Sequence, residues 1–343
     1  MGLFRLARWI HRKRLCILCY HGLAVDGESR FRPKLFMEPT TFASRLAWLK
    51  RAGIPVLPLG EAAKLLYAGR LPDNAVVITI DDGFYSTYGS AAPALRAHGF
   101  PATVYMTTYY ALKGTPIYRL FVHYAFWATR SRHLQLSEVA QNLDGDVDLT
   151  EVAARDRAIA RLVEYGEARG VDEQEAIAER LGKALEVDYS AVKSKRSLSL
   201  MTPSEIRSLR EYGIDVQLHT HRHRLPMHRE TVLKEIADNR DALAALTTGS
   251  LDHFCYPSGE WSSALWPWLH EANVATATTC DYGLNDASTP PLALNRFLDG
   301  ENVSLIEFEA GICGFAGWLL TIKHWVRRTH SDSTQFTTRS GEP

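Results

Sequence analysis

At roughly 150 residues per domain, a chain of 343 residues holds one large domain or two smaller ones. Hydrophobic residues make up 46% and charged residues 23%, which supports a sizeable core and excludes global disorder. Lys plus Arg and Asp plus Glu number 39 each, so the formal net charge is zero and the basic surplus of a nucleic-acid binder is missing.

Residues 1–14 carry Arg5, Arg8, Arg12, Lys13 and Arg14 interleaved with apolar residues, without the apolar block of a secretion signal. Wound as a helix, they place Leu3, Ala7 and Ile10 on one side and Arg5, Arg8 and Arg12 on the other. That pattern suits either a short helix lying on an anionic membrane surface or a solvated helix docked on the domain. Strands are expected over 15–20, 75–80, 102–106, 215–218, 253–256, 274–279 and 292–297. Helical patterns over 41–52, 59–68, 88–98, 203–212, 229–246 and 262–272 alternate with them. The alternation predicts an α/β fold with a parallel sheet, open or closed into a barrel, and chemistry at the C-terminal strand ends.

One stretch breaks the rhythm. Residues 109–199 offer no strand pattern, only an aromatic segment (Tyr118, Phe121, Tyr124, Phe126, Trp127) and charged helical runs at 151–166 and 172–185. They read as a helical insertion, a cap or lid, dividing the α/β domain into 15–108 and 200–310. A C-terminal amphipathic helix is expected over 311–330, buried or interfacial, with Trp318, Trp325, Arg327 and Arg328. Its uncharged run is too short to span a bilayer. A disordered polar tail, 331–343, follows. The five cysteines are too few and too scattered for a disulfide scaffold, and Cys16 and Cys19 read as a buried reduced pair.

Two segments carry chemistry. In Ile78-Thr79-Ile80-Asp81-Asp82-Gly83-Phe84 an apolar strand ends in adjacent carboxylates and a glycine. Such like charges are costly unless compensated, and a divalent cation is the usual remedy. In Leu218-His219-Thr220-His221-Arg222-His223, two histidines spaced by four can share one ion, while His221 is out of phase. Asp82, His219 and His223 then form a facial triad with open positions, most simply for zinc, although cobalt, nickel and manganese suit the same ligands. Such an ion acidifies water and polarises a carbonyl oxygen, and Asp81 is left free as general base.

At this point the sequence resembles a known family. Thr-Ile-Asp-Asp-Gly-Phe and His-Thr-x-x-His are similar to the first two motifs of the NodB-type polysaccharide deacetylases (carbohydrate esterase family 4), and Phe254-Cys255-Tyr256-Pro257-Ser258-Gly259 resembles the third. The resemblance implies a distorted (β/α) barrel with Asp81 as base and Asp82, His219 and His223 as metal ligands. It assigns the oxyanion and substrate contacts to Tyr256 and Ser258, the latter through its backbone amide. Cys19-Tyr20-His21-Gly22 is similar to the start of the poly-N-acetylglucosamine deacetylase branch, which makes His21 the general acid. Arg296, in Leu294-Asn295-Arg296-Phe297, either orients Asp81 or pairs with a surface carboxylate. Asp281 and Asn285 either touch sugar hydroxyls or form a turn.

The leading expectation is a metal-dependent hydrolase that removes N-acetyl groups from an amino sugar. A second keeps the site and changes the substrate: a lipid-linked sugar, or a formyl group, handled at the membrane surface through both chain ends. A third is a non-catalytic carbohydrate-binding protein, which predicts a missing ligand residue. The lack of a signal points to the cytoplasm, or the inner face of its membrane.

Overall fold

The structure is a computed structural model and describes residues 2–317, so most of the expected C-terminal helix and all of the expected tail lie outside the described residues. Seven parallel strands form the main sheet: β1 (Cys16–Tyr20), β2 (Val76–Ile80), β3 (Ala102–Met106), β4 (Ile214–Leu218), β5 (His253–Cys255), β6 (Thr276–Thr278) and β7 (Phe297–Leu298). Their order is β6-β5-β4-β3-β2-β1-β7, and the sheet is curled into part of a barrel. β1, β2 and β3 are buried at every position, as strands covered on both faces must be. The fold is therefore the expected distorted (β/α) barrel.

Register sets the site. Cys16 pairs with Val76 and Tyr20 with Ile80, so His21 emerges beside Asp81. Met106 pairs with Leu218 and Leu218 with Phe254, which brings the His219 segment against Cys255. Because every pairing is parallel, all of these exits lie on one rim.

The last expected strand, 292–297, is shorter and later in the structure. Pro290 and Pro291 have no N–H to donate, and Asn285 takes both the N–H and the carbonyl of Asn295. Leu294 bridges Thr278 at one edge of the sheet, and Phe297 pairs with Leu18 at the other. One short segment thus spans the gap between the edge strands, with Arg296 at its bend.

Residues 109–199 contain the helices Tyr118–Ala128, Val152–Glu167, Val171–Ala184 and Tyr189–Lys195 around buried Phe121, Val122, Leu162, Ile177 and Leu181. They also hold a small antiparallel hairpin, His133–Gln135 with Asp146–Asp148, too short to leave a period in the sequence. Pairing of Phe84 with Leu200 sets the end of this stretch beside the turn that follows β2.

The N-terminal helix Gly2–Ile10 docks through buried Ala7, through Phe4 on Phe315 at 5.2 Å and through Arg8 over Trp48. Leu3, Leu6, Trp9 and Ile10 remain exposed, so the expected apolar side is split between core and solvent. Arg12 and Lys13 pair with Asp73, and Arg14 with Asp286. These contacts fix the helix near the N-terminal ends of β1 and β2, at the end of the sheet opposite the rim. Among the described residues no helix is long and apolar enough to cross a membrane.

Candidate functional site

The turn after β2 separates two adjacent carboxylates. Asp82 has φ 67° and Gly83 φ 82°, a left-handed pair that turns the chain sharply. A Cβ on Gly83 would sit 2.0 Å from the sulfur of Met106, so only glycine fits. Asp81 consequently points into the closed sheet, buried, while Asp82 faces an open cleft.

His219 is held at three points. Its N–H donates to Asn239 Oδ1 at 3.0 Å, and its Nδ1 lies 2.8 Å from the Cys255 carbonyl. With Nδ1 engaged, Nε2 is turned to Asp82 Oδ1 at 3.3 Å. Left-handed backbone at Thr220 (φ 61°) and His223 (φ 55°) folds the loop back, so that His223 Nε2 also lies 3.3 Å from Asp82 Oδ1. His221 points elsewhere, its Nδ1 2.7 Å from Thr108 Oγ1. Among the described residues, four of the nine non-glycine residues with positive φ (Asp82, Thr220, His223 and Ser258) lie in the three loops of the site.

Ligand atoms of Asp82, His219 and His223 fall within 4.8 Å of one another. Two imidazoles and one carboxylate oxygen at that separation fit a divalent ion with positions to spare. Burial alone would raise the Asp82 carboxyl, but the two imidazoles outweigh it and bring it down to about 2. Burial, partly offset by the Asp82 charge, lowers His223 to about 4 and leaves it a neutral donor.

Asp81 is clamped by Arg296. The guanidinium donates to both carboxylate oxygens at 2.7 Å, and its Nε donates to the Thr279 carbonyl at 2.7 Å. Burial opposes ionisation, yet the Arg296 charge and its hydrogen bonds hold Asp81 well below the usual carboxylate range. Of the two readings of Arg296, the structure selects the contact with Asp81. His21 Nε2 lies 3.8 Å from Asp81 Oδ2. Cys19 and Cys255 line the same spot, with their sulfurs 3.5 and 3.4 Å from that oxygen, and both are free thiols.

The third motif divides. Ser258, at φ 58°, borders a cleft of about 780 Å3 shared with Asp82 and His223. Tyr256 is not brought to the cleft by its side chain: it is buried, and its hydroxyl donates to the Leu292 carbonyl at 2.9 Å. Asn285 serves the turn it closes, and Asp281 accepts from Trp261 Nε1 at 2.8 Å. Sequence reasoning missed Asn239, which holds His219 and also donates to the Met106 carbonyl. It missed Glu235 as well, which accepts from the N–H and guanidinium of Arg222. The two lie one turn apart on the buried face of the helix Arg229–Ala244, and that polar pair in an apolar stripe was the available signal.

A model of the polysaccharide deacetylase family matches residues 174–277, which include His219, His223 and the third motif. The Bacillus subtilis (strain 168) protein "Putative polysaccharide deacetylase YxkH" is 33% identical over 102 residues, 29% of this chain and 34% of that protein. The match thus spans about a third of that relative's length. Streptococcus pyogenes deacetylase PplD, solved in complex with acetate, superposes with a TM-score of 0.58 at 18% identity, covering 87% of this chain and 98% of PplD. IcaB from Ammonifex degensii gives 0.54 at 18% identity, covering 88% and 97%. At that identity the superpositions bear on the fold. The chain is thus similar to the polysaccharide deacetylases over residues 174–277, and it shares the fold of the solved deacetylases along most of its length.

Proposed function

We propose that the protein is a divalent-metal-dependent hydrolase that removes N-acetyl groups from an amino sugar of a glycan or its precursor. The observation that carries this reading is the convergence of Asp82, His219 and His223 at the cleft, with Asp81 on its buried side. No ligand is missing from the set, as a non-catalytic relative would require. When bound there, a zinc ion or its cobalt, nickel or manganese equivalent supplies Lewis acidity towards water and the amide oxygen.

The remaining work falls to side chains. Asp81 stays ionised and, locked by Arg296, aims a fixed carboxylate at the attacking water and takes its proton. His21 Nε2, 3.8 Å from Asp81 Oδ2, protonates the departing amine. The Ser258 amide, turned by its left-handed backbone, stabilises the developing oxyanion.

Metal-loaded protein incubated with N-acetylated oligosaccharides is expected to release acetate and a free amine. Asp82→Ala loses both metal and turnover. Asp81→Asn keeps stoichiometric metal and loses about 10²–10⁴-fold in kcat, the range for a general base. Turnover surviving in Asp81→Asn overturns the role of that residue. The same atoms serve a formyl amide or a lipid-linked sugar, so formate against acetate in the product distinguishes the acyl group.

Peripheral membrane contact has one observation in its favour: Leu3, Leu6, Trp9 and Ile10 exposed on a helix that also carries Arg5. Co-sedimentation with phosphatidylglycerol vesicles, lost in Leu6→Glu with Trp9→Glu, is the expected outcome. Absence of vesicle binding by the unmodified chain would remove this reading.

A further inference from the structure

One end of the cleft carries charge that the hydrolytic chemistry does not use. Arg32, Arg119 and Arg224 line it together with Glu167. Arg119 holds Glu167 with two hydrogen bonds, at 2.7 and 2.8 Å, and Arg224 reaches the same carboxylate at 3.6 Å. Arg32 has no carboxylate within 4 Å among the described residues, and its guanidinium lies over the Phe31 ring at 5.2 Å. Among the described residues, these three arginines have a single glutamate in all within ion-pair distance. Arg222 on the same wall is different, since Glu235 and Asp238 neutralise it. Glu260 lines the cleft from the loop after Ser258.

Guanidinium forks match the oxygens of phosphate esters, and a half-buried arginine without a counter-ion leaves an electrostatic deficit that an anionic ligand fills. Burial and the Arg119 charge lower the pKa of Arg32. Three guanidinium groups gathered around one carboxylate offer more donors than a single sugar carboxylate would use, and suit a phosphate or a diphosphate. Asp82 and His223 border the same cleft, so an acyl-amino sugar at the ion site can carry its phosphate towards the arginines.

We propose that the Arg32–Arg119–Arg224 end of the cleft binds a phosphate or diphosphate ester, so that the substrate is an anionic glycosyl phosphate rather than a neutral polymer. This rests on the deacetylase reading for the reaction and on the arginines alone for the binding. The first test therefore uses inorganic diphosphate and metal-free protein, followed by calorimetry. Saturable binding below millimolar concentration is expected, weakened tenfold or more in Arg32→Gln, less in Arg32→Lys, and retained in Asp82→Asn. Circular dichroism confirms that each variant is folded, and Arg224→Gln gives a second reading of the same end. No saturable binding by the unmodified chain overturns the proposal, as does binding indifferent to both arginine changes or lost in Asp82→Asn.

The second test compares turnover of a nucleoside-diphosphate acylamino sugar, a polyprenyl-diphosphate acylamino sugar and a neutral N-acetylated oligosaccharide. A kcat/KM at least tenfold higher for either diphosphate supports the proposal, and the better of the two names the source. Equal or faster turnover of the neutral oligosaccharide overturns it. Diphosphate binding without turnover of any of the three would instead remove the deacetylase reading and leave the anion subsite standing.

Discussion

Arg296 is fully buried, yet each of its nitrogens has a partner: Thr279, Thr79 and both oxygens of Asp81. A buried pair of this kind is most costly when half of it is removed, about 3–5 kcal/mol, because the remaining charge is stranded. Arg296→Gln is therefore expected to lower the free energy of unfolding by about 3 kcal/mol or more in urea titration, and to lower kcat as Asp81 loses its fixed direction. Arg296→Lys keeps the charge without the fork and should fall between the two. Unchanged stability in the glutamine variant would contradict the clamp. The sequence offered Arg296 two partners, and only the bend between the edge strands decided between them. Asp81 and Asp82 were legible as a pair, but their divergence into core and cleft depends on φ angles that no residue pattern states.

At the scale of elements, the helix Arg229–Ala244 acts as a brace for the histidine loop. Asn239 ties β3 to His219 through the Met106 carbonyl and the His219 N–H, and Glu235 holds Arg222 one turn earlier. Supporting contacts of this type commonly change metal affinity 10–100-fold when removed. Asn239→Ala is expected to weaken metal binding within that range in competition with a chelator, while the helix remains folded. Affinity equal to that of the unmodified protein would show that the loop holds itself. The helix itself was readable from its apolar period. Its two polar braces were not, because burial of a polar group is set by what the helix packs against. The hairpin at 133–135 and 146–148 escaped for another reason: three residues are too few to show a period of two.

Across the whole molecule, the parallel alternation of strands and helices was legible because strands buried on both faces are written as continuous apolar runs. The closing segment was not, since its pairing depends on prolines and on Asn285 rather than on hydrophobicity. A pH dependence follows from the same closing region. Asp299, buried after β7, meets Arg45 at 3.1 Å. Burial outweighs Arg45 and raises its carboxyl to about 6, against roughly 3.9 in an unfolded chain. Between those values the folded state holds the extra proton, so this group's contribution to stability falls as pH rises from about 4 to 6. The loss amounts to about 2–3 kcal/mol at most. Urea titration at both ends of that window should show the unmodified protein losing ground relative to Asp299→Asn, and a pH-independent difference would rule this out.

The N-terminal helix and the cleft occupy opposite ends of the sheet, separated by strands of five residues, roughly 16 Å of extended chain. A bilayer gripped by Leu3, Leu6 and Trp9 would therefore lie beneath the protein while the mouth opened away from it. Anchored so, the protein would leave a diphosphate in the headgroup layer of that membrane beyond the grasp of Arg32, and the proposed reaction would draw on sugars arriving from solution or from a facing surface. Vesicle binding through that helix and efficient turnover of a polyprenyl-linked sugar in the same vesicles are thus competing outcomes, and finding one predicts against the other.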